Sequence, residues 1–145
     1  MFGPVVTASS LVGRTVDGRY RLEERLGTGT YGITYRARHL EYQRIVALKL
    51  MHEHVSGNAA QRASFESEAS QLARVEHPSI VTLVKYGEHT GQPWVACEWL
   101  EGETLASQME RGGLPLAVAL AIVRQLLAAL ASAHAARLVH RNVKP

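Results

Sequence analysis

Gly27-Thr28-Gly29-Thr30-Tyr31-Gly32-Ile33-Thr34-Tyr35 is the stretch on which the reading of this chain turns. Glycines at this spacing occur in two settings. In one, a helix opens at the third glycine and offers its N-terminus to a pyrophosphate. In the other, a second strand follows and the chain folds back on itself. Ile33, Thr34 and Tyr35 are β-branched or aromatic, poor at opening a helix and good in a strand. Upstream, Tyr20, Leu22 and Leu26 alternate with charged neighbours, as a half-buried strand requires. The expected order is strand, glycine loop, strand. Glycines lack side chains, so backbone N–H groups in such a loop can approach an anion closely. A plain glycine-rich surface turn is the alternative.

Ile45 to Met51 is almost continuously apolar and predicts a well-buried strand. Alternation puts Ile45, Ala47 and Lys49 on one face and Val46, Leu48 and Leu50 on the other. A lysine in so apolar a strand needs a counter-charge or a phosphate, unless the strand lies at an edge and the side chain reaches water. Ala47, on the same face, leaves room for a flat base. Asn58 is placed to cap a helix from Ala59 to Val75, which His77-Pro78 ends. Along that helix Phe65, Ala69, Leu72 and Glu76 form one stripe, with Glu68 on its border. Lys49 is the only lysine upstream of Glu68 and is its expected partner. The competing carboxylate, Glu66, points about 200° away from Glu68 on the helical wheel.

Residues 1–18 read as a loose leader. Val81 to Tyr86 and Pro93 to Trp99 read as a hairpin around Glu88 to Gln92. Two helices are expected near Thr104 to Arg111 and from Pro115 to Arg137, with Pro115 in the first turn of the second. The 145 residues are 46% hydrophobic and 20% charged, ordinary for a soluble domain with a real core. Sixteen Lys and Arg against 13 Asp and Glu give a net charge of +3. The cations are scattered, which argues against a nucleic-acid surface. A lone Cys97 excludes an internal disulfide and fits a reducing, cytoplasmic setting. The N-terminus lacks the pattern of a signal peptide. Leu114 to Ala131 nearly reaches membrane-spanning length, but Arg124 and Gln125 sit near its middle, so a buried helix is expected instead.

These residues resemble the N-terminal half of eukaryotic-type serine/threonine protein kinases, collinearly from about residue 20 to 145. The family's GxGxxGxV loop is present as Gly27 to Thr34, with Thr34 in the valine position. Val46-Ala47-Leu48-Lys49 looks like the VAIK strand, and Glu68 matches the helix-C glutamate. His77-Pro78-Ser79-Ile80-Val81 is similar to the HPNIV segment. Val95 to Leu100 looks like the fifth strand and hinge, with Cys97 as gatekeeper. The resemblance implies an α+β fold: a kinase N-lobe over 19–98, with a five-stranded antiparallel sheet plus helix C. A hinge and the start of a C-lobe with two helices follow over 99–145. It further implies ATP, held by Leu26, Gly27, Thr28, Gly29, Thr30, Tyr31, Gly32, Thr34, Ala47, Lys49 and Cys97. The Glu98 carbonyl and Leu100 amide are implied at the adenine edge. Lys49, Glu68 and Lys144 are implied catalytic groups, and a protein substrate or regulatory partner is implied as well.

The family's catalytic loop reads HRDxKPxN, and its aspartate accepts the proton of the substrate hydroxyl. Here the loop reads His140-Arg141-Asn142-Val143-Lys144-Pro145. An amide at Asn142 takes up no proton at neutral pH, and losing a positioned base costs roughly 10² to 10⁴ in rate. Lys144 resembles the serine/threonine class rather than the tyrosine class. The only aspartate, Asp17, belongs to no motif. The family's Mg²⁺ ligands have no counterpart before Pro145, so no metal site is expected. The expected protein is the ATP-binding portion of a serine/threonine kinase, truncated inside the catalytic loop and inactive alone. A pseudokinase-like module binding nucleotide or a partner is the alternative, as is a non-functional remnant. With the rest of the C-lobe absent, the apolar terminal helix is expected to expose a sizeable apolar surface and to drive self-association or poor solubility.

Overall fold

The structure, a computed structural model, describes residues 11–140 and 143–145. Among these residues six strands form one antiparallel sheet: β1 (Thr15–Val16), β2 (Tyr20–Thr28), β3 (Gly32–His39), β4 (Ile45–Met51), β5 (Leu83–His89) and β6 (Gln92–Glu98). Their order across the sheet is β1-β2-β3-β4-β6-β5. Five were expected. The sixth, β1, lies inside the expected leader, and its Val16 is part of the core. Residues 1–10 of that leader fall outside the described residues. Asp17 and Gly18 have φ of 52° and 63° where the chain reverses from β1 into β2, so the lone aspartate serves a turn.

Among the described residues four helices accompany the sheet: α1 (Glu53–Ser56), α2 (Ala59–Leu72), α3 (Leu105–Glu110) and α4 (Leu116–Ala135). The Asn58 carboxamide oxygen accepts from the N–H groups of Ala60 and Gln61, both at 3.1 Å, satisfying two donors of the first turn of α2. The helix stops at Leu72, three residues before the expected end, and Arg74 and Val75 close tighter turns onto Gln71 and Leu72. Thr104 caps α3 through its hydroxyl, which accepts from Ser107 N–H. The β5–β6 hairpin is tighter than expected. His89 pairs with Gln92, leaving Thr90 and Gly91 (φ 50° and 82°) as a two-residue turn that matches the sheet's twist.

The main core lies on one face of the sheet. Tyr20, Leu22, Tyr35, Ala37, Val46, Leu48, Leu50, Trp94 and Ala96 are all buried there. A second, smaller cluster of Met51, Val55 of α1 and Phe65 of α2, with Val95 beside it, covers one end of the opposite face. β4 lies between β3 and β6, so Lys49 is on a central strand and the edge-strand alternative does not apply. Arg62 ties α2 to the hairpin: its guanidinium pairs with Glu66 and Glu88 and donates to the Gly91 carbonyl at 3.3 Å.

The chain divides into two compact units. One holds the chain up to Ser70 together with Leu83–Trp99, and the other holds Gln71–Thr82 and Leu100–Pro145. The break after Trp99 falls one residue beyond the expected boundary, and Gln71–Thr82 groups with the second unit. In that unit α4 has only Ala129 buried. The helix is not buried, and the exposed apolar surface expected of it is present: Leu116, Leu120 and Leu127 are more than half exposed. Among the described residues nothing apolar reaches most of its surface.

Candidate functional site

Register across the sheet assembles the site within the first unit. Gly27 pairs with Thr34, Thr34 with Lys49, and Lys49 with Val95, forming one transverse row. In the neighbouring row Arg36 pairs with Ala47 and Ala47 with Cys97. Directly opposed residues of antiparallel strands project to the same side. Thr34, Lys49 and Val95 therefore share a face with Arg36, Ala47 and Cys97, opposite the main core. The Met51–Val55–Phe65 cluster closes that face at one end and leaves Lys49 only partly covered.

The glycine loop bends over Lys49. Gly29 N–H donates to Gly32 C=O at 2.8 Å, which closes the loop on itself. The Lys49 ammonium lies 4.0 Å from where a Gly29 Cβ would stand. The glycines are held for different reasons. A Cβ on Gly32 would come within 2.3 Å of the Leu50 carbonyl oxygen, so the fold itself requires glycine there. A Cβ on Gly27 would meet nothing within 4 Å, and one on Gly29 would meet only ordinary contacts from 3.7 Å upward. The fold leaves space at those two positions. That space is what an approaching anion needs. Leu26, Thr28, Thr30 and Tyr31 are exposed on the loop, with the Thr28 hydroxyl accepting from Arg25.

Lys49 and Glu68 are not joined: among the described residues no ion pair links them. Phe65 and Ala69 are buried as the stripe predicts, but Glu68 is exposed. A solvated carboxylate gains little from an exposed ion pair, which is worth about 0–1 kcal/mol. The competitor Glu66 instead pairs with Arg62 one turn earlier. The Cys97 thiol is pushed up by burial, with the neighbouring Glu98 carboxylate adding to the effect, so it stays a neutral apolar filler beside Ala47. Glu98 ends β6 in this unit, whereas Leu100 and Lys144, both exposed, belong to the other. Asn142 falls outside the described residues.

One cluster was missed from the sequence. Glu23 pairs with both Arg36 and Arg38, and the Arg36 guanidinium lies 5.7 Å from the centre of the Trp99 ring. Hydrogen bonding from Arg38 is the main cause holding the Glu23 carboxyl below the usual range, with the charges of Arg38, Arg36 and Arg21 assisting. The alternation of Thr34, Arg36 and Arg38 contained the signal, since it puts two guanidiniums on the Lys49 face. Among the described residues there is no group of three or more His, Cys, Asp or Glu that could hold a metal.

Known proteins bear on this geometry. The family model of the protein kinase domain matches residues 20–145. Serine/threonine-protein kinase PknE of Mycobacterium tuberculosis is 43% identical over 141 residues, which is 96% of this chain and 25% of PknE. Serine/threonine-protein kinase pkn2 of Myxococcus xanthus is 35% identical over 130 residues, 90% of this chain and 16% of pkn2. The crystal structure of the Mycobacterium tuberculosis PknI kinase domain superposes with a TM-score of 0.77 at 32% identity, covering 92% of this chain and 55% of that one. The chain thus spans a quarter or less of these two curated relatives. The family model reaches from the first residue of β2 to the last residue of the chain, and this chain belongs to the protein kinase family.

Proposed function

We propose that this chain is the ATP-binding part of a protein serine/threonine kinase. One observation carries the reading: the Lys49 ammonium lies beneath Gly29, whose side-chain space the fold leaves open. ATP supplies the γ-phosphoryl group that the family moves to Ser or Thr hydroxyls of proteins. The loop from Gly27 to Gly32 covers the phosphates, Lys49 holds their oxygens, and Ala47 and Cys97 form the flat wall for the base. Glu98, at the end of β6, offers its backbone carbonyl to the adenine edge. Glu68 swings to Lys49 once phosphate has drawn the ammonium out of water. Titration of the 145-residue protein with ATP, read by calorimetry, tests this. Binding that Lys49→Ala weakens roughly tenfold or more supports it, a change expected of a charge-assisted contact. Unchanged binding in Lys49→Ala overturns it.

Asn142 favours a second, finer reading in which the domain binds nucleotide and acts through a protein partner without phosphoryl transfer. A carboxamide cannot serve as the base at that position. A radiolabelled-ATP assay showing turnover that depends on Lys49 would sink this reading. α4 has the length and mean hydropathy, 2.0, of a membrane span. The PknI kinase domain supports taking it as a kinase helix instead, because the part of this chain which that domain leaves uncovered is shorter than α4. Its bare apolar face is proposed to drive self-association. The free Cys97 supports a cytoplasmic location.

A further inference from the structure

His52 follows β4 and binds the glycine loop twice. Its backbone N–H donates to the Tyr31 carbonyl at 2.9 Å, and its ring Nε2 lies 3.1 Å from the Gly29 carbonyl oxygen. A carbonyl oxygen only accepts, so Nε2 must carry the proton and act as donor. The ring is steadied by His54, stacked on it at 5.1 Å between centroids and 21° between planes. The Gly29 N–H is already engaged with Gly32. With the Gly29 C=O drawn to His52, the planar trans peptide turns the Thr30 N–H to the opposite side. Among the described residues that N–H meets no acceptor.

We propose that His52 is a positioning residue for the nucleotide. Its ring straps down the tip of the glycine loop and fixes the Gly29–Thr30 peptide so that the Thr30 N–H stays free for a phosphate oxygen. The inference rests on the ATP reading above and adds the residue that presets the loop. Without the ring donor the tip is tied only through Tyr31, and glycines on either side let it swing open. No other motif described above assigns a role to His52.

The test uses the 145-residue protein and two readouts. His52→Phe keeps a ring to stack on His54 and removes the donor, whereas His52→Gln keeps a donor at similar reach. Amide hydrogen exchange across residues 26–34 without nucleotide should accelerate about five- to tenfold in His52→Phe, the worth of one hydrogen bond, and return close to wild type in His52→Gln. ATP affinity should fall by the same factor in His52→Phe and recover in His52→Gln, with adenosine affinity unchanged throughout. Exchange unaltered in His52→Phe overturns the strap, as does His52→Gln behaving like His52→Phe. Altered exchange with no ATP binding by any protein, wild type included, supports the strap and overturns the nucleotide reading instead.

Discussion

β4 and α4 are the two most apolar stretches of this chain, and they meet opposite environments. β4 is seven residues long, and Val46, Leu48, Leu50 and Met51 are all buried. α4 is 20 residues long and buries only Ala129. Composition says how much surface wants cover. Neighbours decide whether it gets any. β4 lies between β3 and β6 with a core on one side and α1 and α2 over part of the other, so its single charge, Lys49, stands out as a group with a task. α4 has no such frame, so its apolar side chains are an open surface and its Arg124 needs no special account.

That contrast can be broken most directly at two leucines. Leu48→Ala should lower the unfolding free energy by about 2–5 kcal/mol in a denaturant titration, because Leu48 is fully enclosed. Leu127→Ala, more than half exposed, should stay within about 0.5 kcal/mol. Equal costs would mean that α4 is covered after all. Within the β4 region the two kinds of glycine should separate next. Gly32→Ala is expected to lose about 1–3 kcal/mol by overpacking against the Leu50 carbonyl. Gly27→Ala should leave stability within about 0.5 kcal/mol while weakening ATP binding, which calorimetry reads separately. A destabilised Gly27→Ala would remove the distinction between fold-required and ligand-required glycine.

Self-association sharpens the α4 side. Light scattering at rising concentration should show mass above the monomer for wild type and a monomer for the double variant Leu120→Glu/Leu127→Glu. A monodisperse wild type would leave the exposed helix without consequence. The smallest effect belongs to Glu23. Its folded carboxyl titrates below the usual range, so its stabilisation is present above the ordinary carboxylate range and is lost as pH falls through the lower, folded one. Glu23→Gln should therefore flatten the acid limb of the stability–pH curve and change little at neutral pH. An identical acid limb in the variant would disconnect the Arg36–Glu23–Arg38 bridge from folding.

What the sequence disclosed follows from range. β4, the Lys49 face, the Asn58 cap and the Phe65–Ala69 stripe are local patterns with a period or a fixed offset, and they were legible. Thr15–Val16 and Glu53–Ser56 are too short to show any period, so β1 passed as leader and α1 received no assignment. Glu88 and His89 read as turn residues because they are polar, yet a half-exposed edge strand takes such residues readily. The Lys49–Glu68 pair depends on the tilt of a helix 19 positions away, which no local pattern encodes. His52 escaped notice for the same reason. Its partners, Gly29 and Tyr31, are brought to it by the β3–β4 register.

The Thr90–Gly91 turn carries a consequence for length. Both residues sit at positive φ, and the Gly91 carbonyl is an acceptor for Arg62 of α2. One inserted residue would spoil the reversal, shift the pairing of His89 with Gln92 and pull an anchor from the helix that bears Glu68. Among natural variants of this domain, indels should be rare at that tip and should collect in the Gly112–Gly113 connection, which is also the safer place to graft a label or an epitope.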